Sequence, residues 1–351
     1  MSKKVTIQDI ADALGISRNT VSKAINNTDG IAEATRERII QKAIEMGYKQ
    51  FSYVSSLLSA EAGTASNSEQ LGTIALFNTT YLNNSHFASP MMDKIHEEIN
   101  QLGYTFVIFR VSHENIETMT LPKTFNKDKI TAIICTEIFD PAYSDMICNL
   151  GIPVLFVDGP ARRGARPVQA DILLMDNFTE ISRFVAGLID RGLTRIGFIG
   201  DYDHCQSFWE RYNAFRFAML SADVEIDKRF ILKPHETFNR NLMIDELGDL
   251  LDNLDEMPEA FVCANDFVAI DAMQLLAQKD RKLLKQIRFL GFDDSHESRI
   301  FYPALSTVHI HSQAMAFSAL HLLMSRIKEP SMDYRTIYVA TDLVLRESTE
   351  F

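Results

Sequence analysis

The sequence predicts an all-α three-helix headpiece followed by an α/β body built from two doubly wound parallel-sheet halves. Three observations carry this. The first fifty residues hold short apolar stripes at helical spacing, punctuated by glycine. From Leu71, short apolar runs alternate with helix-like stretches, the rhythm of a parallel sheet with helices on both faces. The rhythm restarts after Asn177, which implies a second half and a cleft between the two.

Length and composition agree. The 351 residues, with 46% hydrophobic and 23% charged, are enough for two or three folded domains and argue against a disordered or fibrous chain. Net charge is −12, so the whole molecule is no nucleic-acid coat. The charge is uneven, however. Residues 1–50 hold eight Lys/Arg against six Asp/Glu, and the remainder holds 27 against 41. A mildly basic head on an acidic body suggests separate tasks. The four cysteines, Cys135, Cys148, Cys205 and Cys263, form no CxxC pair and are expected as free thiols in a reducing compartment. The sequence has no apolar signal core and no run long enough to span a bilayer, so a cytoplasmic protein without a membrane partner is expected.

In the head, Thr6 is placed to cap a helix, with Asp9 three residues on. Ile7, Ile10, Ala11 and Leu14 form the apolar stripe, and Gly15 ends it. Ser17 is the next capping candidate, followed by the stripe Val21, Ala24 and Ile25. Two short helices joined by a tight turn are a helix-turn-helix. A third helix is expected over 35–46, with Gly47 as its stop. The second helix leaves Arg18, Asn19, Thr20, Ser22, Lys23 and Asn26 outward. An Arg fork matches the two acceptors of guanine, Asn matches adenine, and hydroxyls and Lys suit phosphates. On the second helix of such a unit, this face points to DNA reading rather than simple solvation.

Residues 5–26, with Thr35-Arg36-Glu37-Arg38 and Met46-Gly47-Tyr48, resemble the headpiece of the LacI/GalR (lactose-repressor) family of bacterial transcriptional regulators. The resemblance implies base reading by Arg18, Asn19 and Lys23, and backbone contact or support by Thr6, Ser17, Ser22 and Asn26. It also marks departures. Ala32 stands where the family has a capping Ser, at a local cost of about 1 kcal/mol. The hinge lacks the family's Pro, Asn, Ala and Arg but keeps Leu57, the position of a minor-groove wedge. Leu57 or Leu58 can serve as that wedge, or can pack with Phe51, Tyr53 and Val54 on the body or a partner hinge. Residues 59–70 read as a small, polar linker. No Lys or Arg occurs between Lys49 and Lys94, so the salt dependence of DNA binding should come mainly from the headpiece.

In the body, strands are expected at 74–77, 104–109, 132–135 and 154–157, with helices over 91–102 and 142–150 between them. After Asn177 the expected order is helix 178–191, strand 196–199, helix 209–221, strand 230–232, helix 241–254, strand 260–263, helix 267–279 and strand 287–290. Asp158, Asn265 and Asp293 each follow a strand, where side chains can enter a cleft, and Ser207 and Arg211 lie one helical turn apart. The stretches Gly151–Asp158, Asp176-Asn177, Arg211–Phe215, Cys263–Asp266, Gly291–Asp294 and Leu345–Thr349 resemble the same family and the periplasmic-binding-protein-like fold of sugar-binding proteins.

By that topology the chain divides into a helix-turn-helix headpiece (1–49), a hinge and linker (50–70) and an effector-binding, dimerising body (71–351). The body's N-subdomain would take about 71–171 and 307–335, and its C-subdomain about 172–306 and 336–351. Matched motif by motif, Asp158, Ser207, Arg211, Asn265 and Asp293 fall on ligand-contacting positions. A forked guanidinium and carboxylates suit paired sugar hydroxyls, while capping or interdomain ion pairing is the plainer role for each. Phe77, Tyr81, Phe87 and Trp209 are candidate walls for a sugar face, or core. His309 and His311 lack a third ligand nearby, so no metal site is expected, and no cofactor motif appears.

The expected function is therefore a ligand-responsive, sequence-specific DNA-binding regulator. It is expected as a homodimeric repressor of carbohydrate-utilisation genes on a near-palindromic double-stranded operator, with a sugar as effector. The alternatives are a purine or phosphorylated metabolite as effector, or an activator. An enzyme is disfavoured, because no GxSxG, Walker or HExxH motif is present.

Overall fold

The computed structural model describes residues 6–25, 35, 38–39, 42, 46, 71–79, 88–161, 166–235 and 240–350. The expectations for Asn26, Leu57, the hinge and linker, Tyr81 and Phe87 lie outside the described residues. The chain forms two compact units, residues 1–67 and 68–351.

In the first unit, α1 (Ile7–Leu14) starts from a capping box. The Asp9 amide donates to Thr6 Oγ1 at 3.3 Å, and the Thr6 amide donates to the Asp9 carboxylate at 2.8 Å. Gly15 ends the helix at φ +67°, a left-handed conformation that costs glycine nothing. Helix α2 spans Arg18–Ile25, and its Thr20 amide donates to Ser17 Oγ at 3.1 Å. Ile10, Ala11, Val21 and Ala24 are buried together with Ile39, whose neighbours Thr35, Arg38 and Lys42 are also helical.

The body holds two parallel sheets. The first contains β1 (Gly72–Asn78), β2 (Tyr104–Arg110), β3 (Ala132–Thr136), β4 (Val154–Val157), β5 (Asp171–Met175) and β11 (Thr336–Val339), in the order β11-β5-β4-β3-β1-β2. Helices α3 (Ala88–Gln101) and α11 (Ser312–Lys328) share a core with Ile74 and Leu76 of β1. Helix α5 (Pro141–Cys148) packs on the opposite face with Ala75 and Phe77, as the period-two alternation of a strand requires. A short helix α4 (His113–Glu117) follows β2.

The second sheet orders β7 (Ile231–Leu232), β6 (Ile196–Ile199), β8 (Ala260–Cys263) and β9 (Arg288–Leu290). Helices α6 (Thr179–Ile189) and α7 (Gln206–Ser221) share one core with Phe198 and Val262. Helices α8 (Arg240–Asp252) and α9 (Asp266–Lys279) share the other with Ile199, Phe261 and Cys263. Helix α10 (His296–Ile300) follows β9. An antiparallel ribbon of β10 (Thr307–Ile310) and β12 (Thr341–Val344) belongs to neither sheet.

The topology moves two expected boundaries. Strand β5 pairs with β4 and β11 inside the first sheet, so the first crossing follows Met175 rather than residue 171. Strand β11 also belongs to that sheet, so the last crossing falls after Val339 rather than at 335. Asp294 fastens the crossing ribbon. Its carboxylate accepts from His309 at 2.9 Å and Arg299 at 2.6 Å, and it also pairs with Arg346. Burial alone would raise its pKa, but Arg299 and Arg346 hold it below the usual carboxylate range.

All four cysteines are free thiols, three of them buried and Cys148 half-buried. Among the described residues no helix is long and apolar enough to cross a membrane.

Candidate functional site

The headpiece presents one polar face. Arg18, Asn19 and Lys23 are exposed and Ser22 is half-buried, while Val21 and Ala24 point into the core. The spacing of α2 thus divides anchoring residues from outward ones. Thr6 and Ser17 are exposed, and each hydroxyl already caps its helix. Both side chains therefore hold the helices in place whatever they touch outside.

In the body, the C-terminal strand ends of the two sheets converge, and four of the expected residues meet there. Asp158 follows β4 in the left-handed region at φ +58° and is buried. Its Oδ1 accepts the Gly159 amide at 2.8 Å and the Ser207 amide at 3.2 Å, and the Gln206 amide donates to the Gly159 carbonyl at 2.8 Å. The loop after β4 thus caps the start of α7 from the other lobe, where a carboxylate suits the helix dipole. Burial nevertheless raises the Asp158 pKa. Ser207 is buried, donates to Met175 Sδ at 3.2 Å and accepts from Asn177 at 3.3 Å.

Arg211 is 3% exposed, and its guanidinium carbon stands over the buried ring of Phe292, 3.5 Å from the centroid. Its Nε donates to Asn177 Oδ1 at 2.9 Å, and a terminal nitrogen donates to the Ala264 carbonyl at 2.7 Å. That nitrogen stands 3.8 Å from the Asp293 carboxylate, an ion pair too long to be a hydrogen bond. Asp293 occupies an unusual backbone position at φ +112°, held by its amide donating to the Val308 carbonyl at 2.9 Å. Burial pushes its carboxyl up to about 7. Arg211 opposes that rise, and Asp266 and Asp158 add to it. Among the described residues the pair therefore has one well-anchored cation and one carboxylate with unused acceptor capacity.

The other expectations fare differently. Asn265 stands one residue beyond the Ala264 carbonyl, half-buried, and its Oδ1 caps α9 by accepting the Val268 amide at 2.9 Å. Phe77 is a correction. It is fully buried and packs edge-on against Phe109 and Phe125, at 5.9 and 5.0 Å between centroids, so it is core and no cleft wall. The parity of β1 turns its side chain toward α5. Trp209 is half-buried beside Tyr202 and Tyr212, each 6.4 Å away.

Sequence reasoning placed Asn177 and Phe292 in family-like stretches without giving either a role, and missed the buried pair Asn78–Thr136. Asn177 connects Arg211 to Glu210, donating to Glu210 at 2.9 Å. Asn78 Nδ2 donates to Thr136 Oγ1 at 2.7 Å at the ends of β1 and β3, and Asn78 Oδ1 is buried without a partner among the described residues. Both lie at C-terminal strand ends, the signal that had picked out Asp158. Asp266 carries a further constraint. Its carboxylate accepts from Thr307 at 2.6 Å and from the Ser295 amide at 2.7 Å, and a side chain at Gly291 would meet Asp266 Oδ1 at 2.1 Å.

Comparisons with known proteins follow this division. Residues 6–50 match the model of bacterial regulatory proteins, lacI family, and residues 185–349 match a periplasmic binding protein-like domain. The HTH-type transcriptional repressor PurR of Mannheimia succiniciproducens is 24% identical, aligned over 98% of both chains. PurR of Actinobacillus pleuropneumoniae serotype 3 is 26% identical at the same coverage. The fold is shared with the transcriptional regulator CelR in its cellobiose complex, at TM-score 0.67 and 21% identity over 98% of this chain and 100% of that one. It is also shared with the lac repressor dimer bound to operator and the anti-inducer ONPF, at TM-score 0.63 and 18% identity over 99% of each.

Proposed function

Because the chain belongs to the LacI family of bacterial regulatory proteins and is a DNA-binding transcriptional regulator rather than an enzyme, we propose that it is a repressor whose effector is a carbohydrate held between Arg211 and Asp293. The observation that carries this is the 3.8 Å gap between the two groups. A carboxylate with no protein hydrogen bond among the described residues accepts from two neighbouring hydroxyls, and a guanidinium fork beside it donates to their oxygens. Hydroxyls that donate to this carboxylate stabilise its charged form, so effector binding favours the ionised form of Asp293.

The regulator works as a cytoplasmic homodimer on a near-palindromic operator. Arg18, Asn19 and Lys23 read bases, and Thr6, Ser17, Ser22 and Asn26 support the backbone contacts. The segment 50–70 is the hinge, with Leu57 as the minor-groove wedge. Phe87 and Asn265 complete the effector cleft. The effector acts through its different affinity for two lobe arrangements, and the hinge passes the difference to the headpiece.

A second reading, a purine effector, is favoured by relatives named PurR that align over nearly the full chain. Asp293 would then accept from a ring N–H and Arg211 would donate to a carbonyl. A thermal-shift and operator-binding screen of sugars against free purine bases separates the two. Saturating effector at a hundred times Kd adds about 2.7 kcal/mol to stability. Arg211→Ala should abolish the response while sparing operator binding. An unchanged response in that variant overturns the pocket, and a shift by purine bases alone replaces the carbohydrate reading.

A further inference from the structure

The carboxylate of Glu210 collects donors from three separate elements. Gln206 on its own helix donates to Oε1 at 3.0 Å. Asn177, at the crossing between the lobes, donates to Oε2 at 2.9 Å. Tyr338, on the edge strand β11 of the first sheet, donates its hydroxyl to Oε1 at 2.9 Å. Asn177 in turn accepts from Arg211 Nε at 2.9 Å. A continuous chain of hydrogen bonds therefore runs from Tyr338 through Glu210 and Asn177 to the guanidinium that faces Asp293.

Tyr338 is the one member on the first sheet; α7 sits against the second. Tyr338 is 53% exposed, so its hydroxyl contributes direction rather than core packing. Asn177 is 1% exposed and uses both ends of its amide in the chain. Its amide oxygen faces Arg211 only while its nitrogen faces Glu210 and Ser207, which leaves it a single satisfied orientation.

We propose that Tyr338 and Glu210 are positioning residues: a strut between the lobes that fixes Asn177, and through it Arg211, so that the placement of the first lobe sets how the effector-facing guanidinium is aimed. The inference deepens the proposed function and depends on Arg211 facing the effector. When the lobes shift, the phenol leaves Glu210, the Asn177 amide loses its fixed orientation, and Arg211 is released from its Nε contact. The strut thereby supplies the differential contact between two lobe arrangements that any effector response requires. Burial and the adjacent Glu210 push the Tyr338 phenol well above its ordinary range, so the hydroxyl remains a donor throughout physiological pH.

The test needs no effector. In the full chain labelled with 15N-arginine, the Arg211 Nε–H resonance is identified by its disappearance in Arg211→Lys, and its hydrogen exchange is followed. Tyr338→Phe, which removes one oxygen from an exposed ring, should speed that exchange about fivefold, the factor for one lost hydrogen bond. Glu210→Gln should speed it as well, and the double variant should add little, because both act on one chain. Tyr334→Phe, another exposed tyrosine of the same lobe, should leave the resonance unchanged. A purely structural role would lower the melting temperature without moving Arg211 Nε–H, and that result overturns the proposal. A strut confirmed here alongside a failed metabolite screen would fault the effector assignment and leave the strut standing.

Discussion

Asp293 holds a carboxyl that its surroundings keep close to protonation. Its folded pKa, about 7, lies above the ordinary 3.8, because burial outweighs the attraction of Arg211. The folded state therefore binds the proton more tightly than the unfolded chain does, and stability falls as pH rises from about 4 through 7. Asp293→Asn should gain thermal stability relative to the wild type as pH rises across that window, by a few kcal/mol at the upper end, and should lose effector response. Melting curves from pH 4 to 8 check this, and a stability difference that does not change with pH contradicts it. Such an exchange of stability for function belongs to binding sites generally. At this scale the sequence was informative where chemistry and position coincide. Arg211 and Asp293 could be named as candidates because they lie in stretches that resemble the family, one near the start of a helix and the other after a strand. Phe77 was misplaced because its type suits either a ligand wall or a core, and only the parity of β1 separates them. Asn177 and Phe292 were not legible because their roles come from what they touch across the fold.

Helices and strands with local signals were read well. Thr6, Asp9 and Gly15 mark the ends of α1 by chemistry that acts within a few residues, and the structure shows each cap in place. Helix α7 begins three residues earlier than expected, because Cys205 accepts the Phe208 amide and the loop at Asp158 supplies the remaining cap from another part of the chain. Strand β5 and helix α11 were not among the expected elements. Strand β5 opens with Asp171, a charge that Arg326 satisfies at 2.9 Å and Arg335 at 3.1 Å from elements more than 150 residues away. Burial alone would raise that carboxyl, but the two guanidiniums bring it below its ordinary range. Thr6→Ala removes a cap that is purely local, and should cost the headpiece about 1 kcal/mol. Hydrogen exchange on the full chain should show the amides of α1 opening about fivefold faster while those of the body are unaffected. Unaltered exchange in α1 would show that the capping box contributes nothing there.

At the scale of the molecule, a DNA-binding unit (residues 1–67) precedes a two-lobed body (residues 68–351), and the lobes are joined by the crossing after Met175, the β10–β12 ribbon and the contacts around α7. The two-sheet architecture was legible from apolar rhythm, whereas the crossings were shifted by a strand at each end because edge pairing is a long-range property. The division of labour predicts separable defects. Arg18→Ala should weaken specific DNA binding and relax one base preference by about 1–3 kcal/mol without touching the effector response, whereas Arg211→Ala does the reverse. The most direct measurement is selection of bound duplexes from a random library by the full chain, followed by titration of the recovered duplex with and without a mixture of sugars and purine bases. The expected outcome is a near-palindromic site whose affinity the mixture changes in the wild type and leaves unchanged in Arg211→Ala. Recovery of no preferred duplex, or an affinity indifferent to every metabolite in the wild type, would contradict it.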